Sequence, residues 1–406
     1  MVDPRNTEPR VLMFSHDTYG LGHLRRSTNI ARAIAQEIDD VSILYVTGAA
    51  RPHCFGLPRS CDVVKLPILT KDGFGRYVPS NLGVSVDLAL SLRRGLVFEA
   101  VRRFDPHAVL IDHAPYGAAG ELRDTLLWLR THRPQTRVVL GMRDVLDAPS
   151  RVAREFGDES LSEIVRQWFD DVLVYGDRRV FDVAKEYDLA PDVAARLHYT
   201  GYVCTPVAPA QASTRRRPRV LVMAGGGADG VLLHETVAAA LAGPLADADL
   251  DVEFTFGPFL DPHEQRRLRK SLAHDARVRT DAFRKDVPQR LRNADVVISM
   301  AGANSVAEIL DAQVPAILAP RGGPRLEQKT RAERLESLGL ARSIDLDERD
   351  APKRLATMVE AALEHRLVPS ARMRADCGGA AAAARVLASL LSTPIAANRE
   401  VNHVAG

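Results

Sequence analysis

Two side chains that can move a proton, His23 and Asp112, each follow an apolar run that is typical of a buried strand. His23 ends the segment GLGH after the run Val11 to Ser15, and Asp112 directly follows the run Ala108 to Ile111. An imidazole titrates near neutral pH and can take a proton from an attacking hydroxyl. A carboxylate can do the same or can orient the imidazole. The sequence therefore predicts a general base at this place, with His23 the first choice and Asp112 the second.

The loop before His23 carries further polar residues and two glycines. Gly20 and Gly22 allow a ligand to approach the backbone closely, and Asp17 lies in the same loop. We expect this loop to line the acceptor side of a site, and His16 and Asp17 remain alternative bases. A histidine at the start of a helix can also contact only solvent. Its position directly after the first strand favours a functional role for the loop.

The stretch from Pro67 to Leu82 mixes glycine, proline and aromatic residues without a helical or strand period. It is too long for an ordinary connection between two elements. Two interpretations remain open, an acceptor-binding loop and a disordered excursion at the surface.

The pattern of strand, glycine loop and helix restarts in the second half of the chain. The run Val220 to Met223 is followed by the glycines Gly225, Gly226 and Gly227 and then by a helical pattern. The loop lacks the GK[ST] of a nucleotide-hydrolysing loop, and no acidic residue closes the next strand, as dinucleotide binding would require. Backbone N–H groups of such a loop can hold a diphosphate without a metal.

A second unit, Asp295 to Gln328, contains two short strands, each followed by a glycine turn and a helical pattern. Helix N-termini at the ends of parallel strands offer unpaired N–H groups to phosphate oxygens. Glu308 is placed to accept hydrogen bonds from sugar hydroxyls, although a single glutamate near a helix start often only compensates the helix dipole. The candidate ligand-binding residues of this unit are Ser299, Gly302, Asn304, Glu308, Gly322, Gly323 and Gln328.

Composition limits the class of protein. The chain has 406 residues, enough for two domains, and a formal net charge of +2 gives no electrostatic case for nucleic-acid binding. No run of apolar residues is long enough to span a bilayer, and the start of the chain is polar, so we expect a cytoplasmic protein. The four cysteines show no CxxC spacing. We therefore expect free thiols, with no metal and no cofactor.

The unit ending at Gln328 resembles the nucleotide-sugar-binding half of GT-B glycosyltransferases of the family 28 type. These include the N-acetylglucosaminyltransferase of peptidoglycan synthesis and the diacylglycerol galactosyltransferases. The resemblance implies that Ser299, Gly302 and Glu308 hold the donor nucleotide and that Gln328 lies near the donor sugar. Many members have an aromatic, histidine-containing loop where this chain has Arg321 to Arg325. The first half, with its SHDTYGLGHLRR, GMRD and LVYGD segments, resembles a bacterial family of predicted glycosyltransferases.

The resemblance implies an α/β fold of two Rossmann-like, doubly wound domains that face a central cleft. We expect an acceptor-side domain at 1–200, a linker at 201–218, a donor-binding domain at 219–392 and a polar tail at 393–406. The resemblance also implies that the terminal helix crosses back onto the first domain.

The expected reaction transfers a hexosyl group from a nucleotide diphosphate-sugar, with a UDP-sugar favoured, to an acceptor hydroxyl. The displacement is expected to be inverting and independent of metal. The acceptor is a lipid-linked intermediate, a small molecule or a glycan, and a peripheral contact with the membrane is compatible with the first of these. Two alternatives remain open. One is a nucleotide-sugar 2-epimerase or hydrolase of the same architecture, and the other is a non-catalytic nucleotide-sugar sensor or scaffold.

Overall fold

The computed structural model of this chain describes residues 8–16, 22–72, 76–147, 152, 159–208, 217–323, 326–364 and 373–393. Asp17 and Gly20, two of the predicted acceptor-loop residues, lie outside the described residues. The same holds for 209–216 of the predicted linker and for 394–406 of the predicted tail. Within the described part, no helix is both long enough and apolar enough to cross a bilayer.

The first half is built around a parallel sheet. Its strands among the described residues are β1 Arg10–Ser15, β2 Ser42–Thr47, β3 Cys61–Lys65, β6 Ala108–Asp112, β7 Arg137–Arg143, β8 Asp171–Tyr175 and β9 Leu197–Tyr199. Their order is β3-β2-β1-β6-β7-β8-β9. Helices cover both faces, so the central strand β6 is buried along its whole length, as its apolar sequence predicts. The strand order reverses between β1 and β6, where a doubly wound sheet opens a crevice.

Helices of the first half connect these strands. They are α1 Gly22–Glu37, α2 Val86–Phe104, α3 Arg123–His132, α4 Leu161–Trp168, α5 Val183–Glu186 and α6 Pro191–Ala194. The start of α4 is fixed by a reciprocal cap, in which the Ser160 side chain accepts from Glu163 N and the Glu163 side chain accepts from Ser160 N.

The stretch from Pro67 to Leu82 contains an antiparallel hairpin. Strand β4 Leu69–Lys71 pairs with β5 Tyr77–Pro79, and the hairpin packs on α2 around the buried Leu69. The interpretation of this stretch as a disordered excursion is therefore wrong for its described residues. The pairing was hidden because three-residue strands are too short to show a period of two.

The second half repeats the architecture. Its strands are β10 Arg219–Met223, β11 Asp251–Thr255, β12 Val278–Asp281, β13 Val296–Ser299, β14 Ala316–Leu318 and β15 Arg342–Ser343. All are parallel, in the order β12-β11-β10-β13-β14-β15. Its helices are α7 Val231–Ala242, α8 Pro262–Leu272, α9 Val287–Arg292, α10 Ala303–Ala312, α11 Glu327–Ser337 and α12 Ala351–Leu363. The order reverses between β10 and β13, which gives a second crevice.

The last helix, α13 Gly379–Ser392, returns to the first half. Its residues Ala383, Ala384 and Leu387 are buried in one cluster with Leu24 and Ile34 of α1. The return agrees with what the resemblance implies. By its packing α13 therefore lies against the first half, while the predicted boundaries of the two domains stay a prediction.

Candidate active site

A cavity of about 880 Å³ lies where the two crevices face each other. The first half contributes residues that follow β1 and β6, and the second half contributes residues that follow β10 and β13. This volume falls within the range of small-molecule sites in proteins. The predicted site residues that line it are Gly22, His23, Gly225, Gly226, Gly227, Gly302, Asn304, Glu308 and Gln328.

His23 and Asp112 form a hydrogen-bonded pair at the edge of this cavity. His23 Nδ1 lies 2.6 Å from Asp112 Oδ2, and the His23 side chain is 18% exposed whereas that of Asp112 is 6% exposed. The carboxylate accepts the Nδ1 proton, which leaves Nε2 of the neutral imidazole as a proton acceptor. The arrangement makes His23 the group that can take a proton and Asp112 the group that orients it.

Arg26, one helical turn after His23 on α1, holds the carboxylate from the other side. Its Nη2 lies 2.9 Å from Asp112 Oδ1 and 2.8 Å from Oδ2. Burial alone would raise the pKa of Asp112, but the charges of Arg26 and His23 outweigh it and hold that pKa well below its ordinary value. Asp112 therefore stays ionised, and as a carboxylate of such low basicity it is poorly suited to be the base.

Two further histidines flank His23. The ring centroids of His16 and His113 lie 5.5 and 5.4 Å from that of His23. Burial, together with the charge of His23, lowers the pKa of His16 to about 3. Burial and the nearby Arg143 guanidinium, whose Nη2 lies 2.9 Å from His113 Nε2, hold the pKa of His113 well below its ordinary value. Both rings are therefore neutral at pH 7, and His16 is a much weaker base than its residue type suggests.

The two halves touch directly beside this histidine cluster. Arg25 Nη1 of α1 donates to Glu308 Oε1 of α10 at 2.6 Å, and both side chains are largely buried. Burial raises the pKa of Glu308, and the Arg25 guanidinium offsets part of that effect. A Cβ atom at Gly22 would collide with the end of the Asn304 side chain, which would have to move for any other residue to stand there. The N-termini of α1 and α10 thus lie against each other at the cavity.

The glycine loop after β10 lies on the same side. Gly225 and Gly227 adopt φ values of 61° and 92°, and a Cβ on Gly227 would collide with the Phe256 carbonyl. A Cβ on Gly225 would lie 3.4 Å from Ser305 Oγ, which places this loop against the first turn of α10. Backbone N–H groups from the loop and from α10 are therefore available around one volume.

Three of the predicted donor residues do not line the main cavity. Ser299 is fully buried, and its hydroxyl donates to the Met300 carbonyl at 3.0 Å. Gly322 and Gly323 line a smaller adjoining pocket of about 380 Å³. Arg321, whose Nη1 donates to Asp229 Oδ2 at 2.6 Å, lines both this pocket and the main cavity. These three residues therefore lie outside the lining of the main cavity, and their contacts with a donor stay a prediction.

Residues 220–390 match the family model described as the glycosyltransferase family 28 C-terminal domain. A curated relative from Nitratidesulfovibrio vulgaris (strain DP4) is 27% identical over 385 residues, which cover 92% of this chain and 95% of the relative. That protein is named UDP-N-acetylglucosamine--N-acetylmuramyl-(pentapeptide) pyrophosphoryl-undecaprenol N-acetylglucosamine transferase. The chain is a glycosyltransferase whose second half is similar to the C-terminal domain of family 28.

Solved structures share the fold of this glycosyltransferase. The glycotransferase of kitacinnamycin superposes with a TM-score of 0.62 at 16% identity, over 95% of this chain and 99% of the other. A putative UDP-N-acetylglucosamine 2-epimerase from Listeria monocytogenes gives a TM-score of 0.63 at 14% identity, over 95% and 96%. These similarities show that the fold consists of two Rossmann-like domains facing a cleft.

Two arginines of the glycosyltransferase were missed as site residues in the sequence. Arg25 and Arg26 follow His23 after Leu24, and the spacing of three between His23 and Arg26 places these two on one face of α1. That spacing was a usable signal for Arg26. No local pattern signals that Arg25 reaches Glu308, which lies 283 residues further along the chain.

Proposed function

We propose that this glycosyltransferase transfers a hexosyl group from a nucleotide diphosphate-sugar to an acceptor hydroxyl by an inverting, metal-independent displacement. One observation carries the proposal. The His23–Asp112 pair, the glycine loop at Gly225 and Glu308 lie around one cavity. Proton acceptor, diphosphate-binding N–H groups and a carboxylate for sugar hydroxyls are thus gathered in one place.

The His23 imidazole is the base in this reaction. Its Nε2 takes the proton from the acceptor hydroxyl, while the Asp112 carboxylate holds Nδ1–H and stabilises the imidazolium that forms. The hydroxyl oxygen attacks the anomeric carbon as the bond from that carbon to the diphosphate breaks. A single displacement of this kind inverts the anomeric configuration.

Several groups of this chain can stabilise the negative charge that develops on the leaving diphosphate. The N-termini of α1 and α10 and the amides of the loop at Gly225 direct N–H groups towards the cavity. Arg25, Arg143 and Arg321 add cationic side chains to its lining. These groups supply the stabilisation that a divalent cation provides in other transferases, and they support a metal-independent reaction.

We infer the chemical class of the donor and of the acceptor from the residues of the site and from the name of the curated relative. Glu308 binds the ribose hydroxyls, and Arg25 moves from this carboxylate towards the diphosphate when the donor enters. The name of the Nitratidesulfovibrio relative supports a UDP-sugar donor and a lipid-linked acceptor. Lys71 and Tyr77 of the β4–β5 hairpin line the cavity and belong to the acceptor side.

The ligand-binding test is a thermal-shift series with UDP, UDP-N-acetylglucosamine and the corresponding GDP, dTDP and ADP compounds, each with and without EDTA. We expect UDP compounds to raise the Tm by several degrees regardless of EDTA, because binding to the native state stabilises it. Glu308→Ala should abolish the shift. Glu333→Ala, which removes an exposed carboxylate of α11, should leave it unchanged.

Three results would contradict the proposal. The first is a shift that disappears with EDTA, which would show that a metal holds the diphosphate. The second is release of UDP with the sugar epimerised or hydrolysed whether or not an acceptor is present, which would favour the 2-epimerase or hydrolase alternative. The third is the absence of any shift, which would exclude the nucleotide-sugar site.

A further inference from the structure

Two chain segments connect the halves of the molecule, and they run side by side. Residues 200–208 leave the first half, and residues 373–378 lead back towards it into α13. Tyr202 N donates to Asp376 O at 2.7 Å, and Gly379 N donates to Tyr202 O at 3.0 Å. Val203 and Gly378 form an antiparallel bridge. The two connections are thus paired like two short antiparallel strands.

The close approach of these segments is built into their sequence. A Cβ on Gly379 would collide with the backbone of Gly201 and Tyr202, so glycine is required there. Asp376 N also donates to Asp177 Oδ2 at 2.9 Å, which ties the returning segment to the first half. The separation of the two segments is therefore fixed by backbone contacts.

This register places Cys204 opposite Cys377. Because Val203 pairs with Gly378 in antiparallel fashion, the next residue of one segment faces the preceding residue of the other. Opposite residues of an antiparallel pair have Cα atoms about 4.5 to 5.5 Å apart, within the range that disulfides span. The two sulfur atoms lie within 4.8 Å of each other. The thiols are already placed for a bond that needs little backbone movement.

The same two thiols lie within 4.8 Å of an Asp311 carboxylate oxygen, so a metal is the competing occupant. Asp311 Oδ2, however, is paired with Arg292 Nη2 at 2.6 Å. A guanidinium at this carboxylate opposes binding of a cation, whereas it does not oppose a bond between the two sulfurs. The geometry and the charge therefore favour a disulfide over a metal site.

We propose that Cys204 and Cys377 form a reversible disulfide when the protein meets a peroxide. Cys377 is partly exposed and Cys204 is buried, so the peroxide reaches Cys377 first. The Cys377 thiol and H₂O₂ give a sulfenic acid and water. The Cys204 thiol then attacks that sulfur, the S–S bond forms and a second water leaves. The two thiols lose two electrons in total, and the peroxide gains them.

The Cys204–Cys377 disulfide would form next to the residues proposed to bind the donor. The Cys204 carbonyl accepts from Asn29 Nδ2 at 3.2 Å, and the next residue, Thr205, has its hydroxyl 3.5 Å from Glu308 Oε1. A crosslink between the two connections limits movement of one half against the other, which closure around a substrate requires. The effect on rate rests on the proposed transferase function, whereas formation of the disulfide does not.

The experiment treats the purified, reduced full-length protein with H₂O₂ and maps its peptides without reduction. We expect one crosslinked peptide joining Cys204 to Cys377, a Tm raised by several degrees and a transfer rate lowered roughly threefold or more. Dithiothreitol should remove the crosslink and return the Tm and the transfer rate to those of the reduced protein. The Cys54→Ser/Cys61→Ser double variant should respond to peroxide like the wild type. Cys204→Ser and Cys377→Ser should each give no crosslink, and peroxide should leave their Tm unchanged.

Several outcomes would overturn the proposal. Peroxide that oxidises Cys54 but leaves Cys204 and Cys377 as thiols would exclude the disulfide. One zinc ion per chain by elemental analysis, lost in Cys377→Ser, would assign the site to a metal. A crosslink that forms without changing the transfer rate would exclude the regulatory role. If no donor is turned over at all, the proposed function fails, while the disulfide is still judged by the peptide map and the Tm.

Discussion

His23 and Asp112 divide between them the roles that either could have taken by residue type alone. Asp112 has Arg26 on one side and the His23 ring on the other, and its pKa is held well below the ordinary value. His23 retains exposure to the cavity. A buried, fully paired carboxylate orients a base better than it acts as one, because it would have to leave two partners to accept a proton.

Substitution of Asp112 by Asn tests this division of roles. We expect kcat to fall by about 10² to 10⁴, because the amide does not hold the Nδ1 proton or stabilise the imidazolium. His23→Ala should lower kcat at least as much. The measurement is transfer at saturating donor and acceptor, with the UDP-induced thermal shift as the control for an intact donor site. A kcat for Asp112→Asn within threefold of the wild type would show that Asp112 does not act through His23.

Between elements, one buried arginine joins α11 of the second half to the segment after β7 in the first. Arg331 Nη2 lies 3.3 Å from Asp144 Oδ1, and its Nη1 donates to the Ala301 carbonyl at 2.8 Å. Tyr202 adds a hydrogen bond from its hydroxyl to Asp144 Oδ2 at 2.9 Å. Arg331 and Asp144 are each 1% exposed, so neither can exchange its partner for water.

Replacement of Arg331 by Met should lower the free energy of unfolding by about 3 to 5 kcal/mol, because it leaves the Asp144 carboxylate buried without its cation. Tyr202→Phe should cost only about 1 kcal/mol, the net value of a hydrogen bond. The check is urea denaturation at pH 7. As a control, Arg166→Met breaks an ion pair with Asp192 in which both side chains are about half exposed. It should cost less than about 1 kcal/mol. An equal loss of unfolding free energy in Arg331→Met and Arg166→Met would show that the buried ion pair contributes no more to stability than the exposed one.

Considered as a whole, the molecule buries several histidines in their neutral form. His234 of α7 is fully buried and packs edge-on against the Phe256 ring, with centroids 5.0 Å apart. Burial lowers its pKa to about 4. Between pH 6.5 and about 4 the unfolded chain therefore binds a proton that the folded chain does not, and stability is lost as the pH falls through this window.

His234→Leu should remove this part of the pH dependence. A shift of this size corresponds to roughly 3 kcal/mol, so the wild type should lose about that much more stability than the variant between pH 7 and pH 4. The measurement is the free energy of unfolding by urea at both values. His263→Leu, at an exposed position of α8, is the matched control and should follow the wild type. An equal loss of unfolding free energy between pH 7 and pH 4 in His234→Leu and the wild type would contradict a lowered pKa for His234.

The sequence by itself determined the two doubly wound units and the edges at which they carry a site. Apolar runs such as Ala108 to Ile111 are typical of buried strands of a parallel sheet, and a glycine loop after such a strand marks its carboxyl end. These signals are local, so His23, Gly225 and Glu308 were found in the sequence and lie around one cavity.

Only the tertiary structure decided how these residues are partnered. The pairs Arg25–Glu308, Arg26–Asp112 and Cys204–Cys377 join residues that are far apart in sequence. Each depends on how one packed element is oriented against another, which no local period encodes. The same reason applies to Ser299, which was predicted from its place at a strand end. The packing of β13 directs its hydroxyl to the neighbouring Met300 carbonyl, an orientation that no local pattern encodes.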